Sequence, residues 1–138
     1  MLEVGVGGGA VTKNIEGLGG FYLGIDVNKN LIDRAKKTFP QLSFAVADAR
    51  YLSGTIKEPV DIIVSSLGLR AMPEKMVADI FNEFNRVLSP SGRIVQYTYG
   101  PRDPVPKDTQ EKLRFSSSSR GWTLRNIPPA QVFLYEKI

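Results

Sequence analysis

The sequence predicts a single α/β domain whose mostly parallel sheet of about seven strands carries helices on both faces. Short apolar runs alternate with segments of helical periodicity, which is typical of strand–helix–strand units. Most runs are apolar along their whole length, as expected for parallel strands that are covered on both sides. A length of 138 residues is that of one domain, so residues 1–138 are expected to share one core.

The strands are predicted from runs rich in β-branched and aromatic residues that are bounded by turn residues. These runs are residues 2–4, 21–25, 42–46, 60–65, 93–98 and 131–135. Strand-like runs replace helical segments toward the C-terminus, which predicts an antiparallel hairpin at one edge of the sheet. The four serines at 116–119 are expected to form a loop.

Two helices are predicted from capping signals and apolar periodicity. Asn28 is placed to cap a helix that continues to Phe39, and Pro40 marks its end. Pro73 begins a second helix, which the Pro-Ser-Gly sequence at 90–92 is expected to end. The apolar positions that recur at helical spacing in this second helix are Met76, Val77, Ile80, Phe81, Phe84, Val87 and Leu88.

A glycine-rich turn follows the first predicted strand and begins a helix. Glycines at this point let the backbone pass close to a ligand at the helix N-terminus. Gly5, Gly7 and Ala10 satisfy the dinucleotide pattern G-x-G-x-x-G/A, so the glycines alone leave a nicotinamide dinucleotide open as the ligand.

Acidic residues accompany the first three predicted strands. Glu3 precedes the glycine turn, Asp26 closes the second strand and Asp48 follows the third. A carboxylate beside a pyrophosphate would be repelled, so Glu3 favours a cationic ligand over a dinucleotide. Asp26 is placed to accept hydrogen bonds from ribose hydroxyls in either kind of site.

The pattern E-x-G-x-G-x-G, formed by Glu3, Gly5, Gly7 and Gly9, resembles motif I of the class I methyltransferases. The resemblance implies a Rossmann-like fold, S-adenosylmethionine as the cofactor, and contact between Asp48 and the adenine amino group. A complete domain of this kind has a helix before its first strand, and the chain begins inside that strand, so the domain is expected to be N-terminally incomplete. The implied cofactor-binding residues are Glu3, Gly5, Gly7, Gly9, Asp26, Val27, Asp48, Ala49, Ser65 and Ser66.

The composition excludes several kinds of chemistry. The sequence has no cysteine and no histidine, which excludes disulfides, zinc–thiolate sites and imidazole catalysis, and no metal is expected. It contains no apolar run of about 18 residues and no secretory signal, so a cytoplasmic location is expected. The net charge of +4 is compatible with RNA, with an anionic membrane surface, or with no charged partner.

The loop after the fourth predicted strand bears on the substrate class. Base-flipping methyltransferases carry a stacking tetrapeptide such as N-P-P-Y there, and residues 65–73 contain none, so nucleic acid is not the expected substrate. Methylation of adenine in ribosomal RNA and a truncated, non-catalytic cofactor-binding module remain as alternatives. An apolar surface left by a missing helix would also favour self-association.

Two further stretches, Q-Y-T-Y-G-P at 96–101 and R-N-I-P-P-A at 125–130, resemble the bacterial phospholipid N-methyltransferases. The resemblance implies methylation of the phosphatidylethanolamine head group by a protein peripheral to the inner, anionic face of the membrane. Tyr97 and Tyr99 are expected to bind the methylated nitrogen through their ring faces, with Tyr99 at the reacting centre. Arg102, Arg125 and Asn126 are expected to meet the lipid phosphate.

Overall fold

The computed structural model describes residues 1–123 and 130–138. Seven strands and four α-helices follow one another along these residues, with short 3₁₀ helices at Ala49–Gly54 and Leu69–Ala71. The strands are β1 (Leu2–Val4), β2 (Leu23–Asp26), β3 (Ser43–Val46), β4 (Val60–Ser65), β5 (Leu88–Tyr99), β6 (Phe115–Thr123) and β7 (Ala130–Lys137). The helices are α1 (Ala10–Ile15), α2 (Lys29–Thr38), α3 (Glu74–Val87) and α4 (Lys107–Leu113).

The strands form one sheet in the order β3-β2-β1-β4-β5-β7-β6. The first five strands are parallel to one another, whereas β7 is antiparallel to both β5 and β6. The mostly parallel sheet and the antiparallel C-terminal hairpin are therefore confirmed. The strand order reverses at β1, which has β2 on one side and β4 on the other, and ligands bind at the carboxyl ends of strands at such a reversal.

One face of the sheet packs against α3. Phe81 and Phe84 of this helix are completely buried, as are Ile63 of β4 and Ile94 of β5 beneath them. The Phe81 ring meets the ring of Tyr135 edge-on at 5.0 Å between centroids, which attaches β7 to the same core. The apolar side chains that the sequence predicts at helical spacing in α3 therefore form the face of this helix that packs into the larger core.

The other face packs against α2. Ile32, Ala35 and Phe39 bury against Tyr22 and Phe44 in a second, smaller apolar cluster. This helix starts where the sequence predicts, because the Asn28 side-chain oxygen accepts hydrogen bonds from the backbone N–H groups of Asn30 (2.9 Å) and Leu31 (3.3 Å). Helices therefore cover both faces, as predicted.

The predicted end of the second helix is wrong by a few residues. The helix begins after Pro73 as expected, but it ends at Val87, and the Pro-Ser-Gly sequence lies within β5. Glycine at position 92 permits this path of the backbone, because a Cβ atom there would clash with Leu88 side-chain atoms at 2.6 Å. The breakers at 90–92 therefore shape an irregular start of β5, where its pairing with β4 shifts register between Val60 and Ile62.

The serine tract at 116–119 is a strand and not the expected loop. It belongs to β6, in which Ser116 to Ser119 pair with residues 133–136 of β7. Serine has little preference for strands, but backbone pairing with β7 and the burial of Phe115 fix this segment at the edge of the sheet. An edge strand has one face and one edge open to solvent, so it tolerates polar side chains such as these serines.

Within the described part of the chain, no helix has both the length and the apolar character needed to cross a membrane. The same residues contain no cluster of three or more acidic side chains that could hold a metal ion.

Candidate cofactor site at the carboxyl edge of the sheet

The turn between β1 and α1 adopts a backbone that favours glycine at three positions. Gly5, Gly7 and Gly9 have φ angles of +81°, +54° and +83°, a region that side chains other than glycine rarely adopt. The turn is tied to the next strand, because the Gly5 N–H donates to the Ile25 carbonyl oxygen at 2.9 Å. At Gly9 a Cβ atom would also come within 3.0 Å of the Phe39 ring. The glycines predicted from the sequence therefore have a conformational reason to be there.

Asp26 connects this turn to the start of α2. Its Oδ2 accepts a hydrogen bond from the Gly7 N–H at 3.0 Å, and its Oδ1 accepts one from the Asn28 N–H at 2.9 Å. A carboxylate offers about four acceptor positions, so each oxygen keeps capacity for a hydroxyl donor. Asp26 is thus oriented by the backbone and still able to bind a ribose.

A small groove of about 50 Å³ lies beside Asp26. Gly5, Val27, Ala49 and Leu67 line it together with the ends of β1 and β2. Val27 is 67% exposed, and Val46, which pairs with Asp26 at the end of β3, is 52% exposed. Two exposed valines at adjacent strand ends offer apolar area that a planar base would bury, which fits an adenosine at this edge.

Asp48 is already engaged by its own segment. It caps the Ala49–Gly54 helix by accepting from the Arg50 N–H at 2.9 Å, and it pairs with the Arg50 guanidinium at 2.6 Å. Hydrogen bonds from the Arg50 side chain hold the pKa of Asp48 below its usual value, so the carboxylate is charged at neutral pH. Contact between Asp48 and an adenine amino group stays a prediction, and such a group would share Asp48 with Arg50.

The expected role of Glu3 needs correction. Its side chain is completely buried, and both carboxylate oxygens accept from the Thr12 hydroxyl, at 3.0 and 2.8 Å. Oε2 also accepts from the Tyr22 hydroxyl. Because Glu3 has no accessible surface, it does not face a cationic ligand; it ties β1 to α1 instead. Burial raises the pKa of Glu3 above its ordinary value.

The loop after β4 closes the site on its other side. Ser65 is buried at the end of β4, and the Ser66 N–H donates to the Val4 carbonyl oxygen at 3.0 Å. Among the described residues, the buried Ser66 Oγ has no hydrogen-bond partner. Buried hydroxyls are normally satisfied, so the unpaired Ser66 Oγ is an exception in this loop. Contact of Ser65 and Ser66 with the cofactor stays a prediction.

Sequence reasoning missed Gln96. This side chain is completely buried in β5, and its Nε2 donates to the Leu67 carbonyl oxygen at 2.9 Å, which fixes the loop after β4 against the sheet. The signal was present in the sequence, because a glutamine at an inward position of an apolar strand must find buried partners.

Tyr97 and Tyr99 lie on the same face of β5, as alternation along a strand predicts. Their rings meet edge-to-face, with centroids 5.6 Å apart and planes at 86°. Tyr99 is 52% exposed and Tyr97 is partly buried. Burial, together with the neighbouring Tyr99, raises the pKa of Tyr97, which therefore remains a neutral phenol at physiological pH.

The three residues expected to meet a phosphate divide into two groups. Arg102 is exposed in the segment that follows β5. Arg125 and Asn126 lie outside the described residues, and their expected role stays a prediction.

Comparison with known sequences identifies relatives of this chain. The family model described as "Methyltransferase domain" matches residues 1–92, which run from β1 into β5. The chain is 32% identical over 107 residues to a ubiquinone/menaquinone biosynthesis C-methyltransferase of Campylobacter jejuni, covering 78% of this chain and 41% of that protein. It is 29% identical over 96 residues to an uncharacterized methyltransferase of Oceanobacillus iheyensis, covering 69% of this chain and 44% of the relative. The chain therefore spans less than half the length of these relatives.

Solved structures share the fold. A TehB-like SAM-dependent methyltransferase from Corynebacterium glutamicum aligns with a TM-score of 0.75 and 23% identity, over 99% of this chain and 79% of that one. The magnesium protoporphyrin IX methyltransferase of Synechocystis PCC 6803 with bound SAM aligns with a TM-score of 0.76 and 13% identity, over 99% and 69% of the two chains. At these identities the likeness establishes the architecture alone.

Proposed function

The chain belongs to the class I S-adenosylmethionine-dependent methyltransferases, and from this premise we propose that it methylates the ethanolamine amine of a membrane phospholipid. The observation that carries the proposal is the edge-to-face pair of Tyr97 and Tyr99 near the carboxyl end of β5. This strand lies beside β4, which in turn lies beside β1 and its glycine turn. An aromatic pair therefore stands at the sheet edge that carries the cofactor residues.

Three parts of the chain would hold the cofactor. The glycine turn allows close approach of the cofactor's methionine portion, Asp26 accepts hydrogen bonds from the ribose, and Val27 packs against the base. When bound, S-adenosylmethionine supplies a methyl group on a positively charged sulfur. The protein contributes the groups that bind the cofactor and orient the acceptor.

The acceptor requires only deprotonation and alignment. An ammonium with a pKa of about 10.4 gives up its proton at pH 7 at a cost of roughly 4 to 5 kcal/mol. After that proton has passed to solvent, the nitrogen lone pair would form the new N–C bond with the methyl group that the bound cofactor supplies, and the sulfur would leave as a neutral thioether. Alignment of the reacting groups contributes about 7 to 11 kcal/mol, so a sequence without histidine is sufficient for this reaction.

The tyrosine pair would favour repeated methylation of one nitrogen. A methylated ammonium is poorly hydrated, and an aromatic face binds it with roughly 0.5 to 2 kcal/mol. Because the ring of Tyr99 is half exposed, it can meet a head group that arrives from the membrane. The pair should therefore matter more for the second and third methylations than for the first.

The test measures the lipid products of the protein given labelled S-adenosylmethionine and vesicles that contain phosphatidylethanolamine. We expect mono-, di- and trimethylated lipid, separated by thin-layer chromatography. Tyr97→Leu and Tyr99→Leu should shift the products toward the monomethylated lipid, whereas Tyr51→Leu, an exposed tyrosine on another segment, serves as the control. Equal product ratios in all variants would remove the aromatic pair from the mechanism.

A second candidate is methylation of carbon in a quinone precursor. The 32% identity to the ubiquinone/menaquinone biosynthesis C-methyltransferase of Campylobacter jejuni favours it. Both reactions use the same cofactor, and they differ in the atom that attacks the methyl group. Label in the quinone fraction of a membrane extract, with none in the phospholipid fraction, would replace the lipid proposal with this one.

The same assay addresses the two alternatives left open by the sequence. Label in ribosomal RNA would establish a nucleic-acid methyltransferase. Binding of S-adenosylmethionine without label in lipid, quinone or RNA would establish a non-catalytic cofactor-binding module.

A further inference from the structure

A second cavity, of about 300 Å³, lies between the segment after β4 and the segment after β5. Leu69, Met72 and Val77 give it an apolar side, and the side chains of Arg70 and Arg102 also line it. From its lining we propose that this cavity is an anion subsite in which Arg70 binds the phosphate of the substrate, assisted by Arg102. This inference rests on the proposed function and deepens it, because it assigns the group that positions the head group. The sequence patterns do not point to Arg70.

The Arg70 guanidinium is held in place by backbone. Its Nη1 donates to the Arg102 carbonyl oxygen at 3.2 Å. It also packs over Gly100, where a Cβ atom would lie 3.1 Å from Cζ and 3.2 Å from Nη1. Gly100 has a φ angle of +107°, so both its conformation and this close approach favour glycine. The guanidinium is therefore oriented before any ligand arrives, with only one of its five N–H donors engaged in this bond.

The charges around the cavity leave the two arginines open to an anion. Among the described residues, neither Arg70 nor Arg102 forms an ion pair. The carboxylate of Asp103, which also lines the cavity, accepts from the Val105 N–H (2.9 Å), from Gln110 (3.0 Å) and from the Tyr135 hydroxyl. Asp103 is thus occupied in holding its own segment.

Glu74 is the remaining acid of the lining, and it stands in the first turn of α3. The partial positive charge of that helix terminus offsets part of its charge. The lining therefore holds two guanidinium groups and two carboxylates. The guanidinium of Arg70, which forms no ion pair among the described residues, is the group placed to bind a phosphate through two parallel hydrogen bonds.

The position of the cavity suits a phosphate that is joined to the reacting amine by two carbons. Leu67 lines the cofactor groove, and Arg70 follows it by three residues in the same segment. Three residues of fully extended chain span at most about 11 Å, so the guanidinium stem begins close to the groove. In the proposed arrangement, an ethanolamine head group places its phosphate on Arg70 and its amine toward the cofactor.

The test uses glycerophosphoethanolamine and inorganic phosphate as separate probes, with binding measured by calorimetry. We expect the wild-type protein to bind the phosphodiester, Arg70→Gln to lose about 10- to 100-fold in affinity, and Arg70→Lys to recover only part of it. Arg34→Gln removes an exposed arginine from α2 and serves as the charge-matched control. Equal affinity of wild type and Arg70→Gln for both probes would overturn the subsite.

An assay of methylated lipid distinguishes a failure of the Arg70 subsite from a failure of the proposed function. If Arg70→Gln methylates phosphatidylethanolamine vesicles as well as wild type does, the subsite is overturned and the proposed function stands. If the phosphodiester depends on Arg70 but no lipid is methylated, the subsite is supported and the lipid substrate fails. Binding of inorganic phosphate alone, lost in Arg70→Gln, would support the anion site and overturn the lipid head group as its source.

Discussion

Two carboxylates close to the glycine turn, Glu3 and Asp26, have opposite surroundings. Asp26 accepts from two backbone N–H groups and remains accessible to a ligand, whereas Glu3 is buried among hydroxyl groups. The sequence predicts both acids to accompany strands beside the glycine turn, yet alternation along β1 places Glu3 on the side of the sheet opposite to Leu2 and Val4. Sequence position therefore identifies both acids as candidates. Only their packing shows that Asp26 is accessible to a ligand and that Glu3 bonds within the protein.

Asp26→Ala should weaken the binding of S-adenosylmethionine by roughly 1.5 to 3 kcal/mol, the usual contribution of a hydrogen bond to a charged group. The change also removes the acceptor for the Gly7 and Asn28 N–H groups, so the turn loses its orientation as well. Calorimetry of the cofactor gives the affinity, and Asp33→Ala on the exposed side of α2 is the control. Unchanged affinity in Asp26→Ala would exclude the ribose contact.

Glu3→Gln should flatten the pH dependence of stability. The pKa of Glu3 is raised in the folded protein above its ordinary value of 4.5, so the folded state retains a proton that the unfolded state has lost. Stability from this group is therefore present below pH 4.5 and is lost as the pH rises toward the folded pKa. Glutamine does not titrate, so the stability of Glu3→Gln shows no such loss with rising pH.

Urea unfolding of wild type and Glu3→Gln between pH 4 and 8 measures this difference, and Glu16→Gln, an exposed glutamate after α1, is the control. Parallel stability curves for wild type and Glu3→Gln would contradict the buried, proton-retaining carboxyl.

The secondary-structure elements show which signals in a sequence are reliable. The start of α2 and the start of α3 were predicted correctly, because a capping asparagine and a proline act locally. The end of α3 and the strand β6 were predicted wrongly, since Gly92 fits against Leu88 and the serines pair with β7 only in the assembled sheet. Capping residues and prolines act on their sequence neighbours and can be recognised from the sequence, whereas pairing with a distant strand cannot.

Asn28→Ala should lower the free energy of unfolding by about 1 kcal/mol, because the N–H groups of Asn30 and Leu31 lose their acceptor. Thermal unfolding followed by circular dichroism measures the change. Asn30→Ala is the matched control, since alanine at an exposed helical position is neutral or slightly stabilising. Equal melting temperatures for the two variants would show that the cap contributes nothing to α2.

For the whole molecule, the mostly parallel sheet and the cofactor class could be predicted, and the substrate could not. Parallel strands with a glycine turn and acids at their ends restrict the ligand to one edge, and the family of the chain gives S-adenosylmethionine. The side chains that we propose for acceptor recognition, Arg70 and Tyr99, lie in separate segments that are brought together by the pairing of β4 with β5. No spacing in the sequence encodes that proximity.

Methylation of lipid by this protein should depend on the charge of the membrane. The chain carries a net charge of +4, so anionic vesicles should raise the rate over neutral ones. Added salt should reduce this advantage, because the screening length falls from about 10 Å at 0.1 M to about 3 Å at 1 M. Initial rates on both kinds of vesicle over a salt series measure the effect; rates that do not respond to lipid charge would contradict it.

The place of β7 in the sheet bears on how the protein is made. β7 follows β6 in the chain but lies between β5 and β6 in the sheet. During synthesis β6 is therefore made before β7, the strand that lies between β6 and β5. Until translation delivers β7, β5 keeps a row of unpaired backbone groups and Lys137 cannot bond the carbonyl oxygens of Asn85 and Leu88 at the end of α3. The nascent chain therefore passes through a stage in which an open strand edge invites aggregation, and this stage is where a folding chaperone would have most to protect.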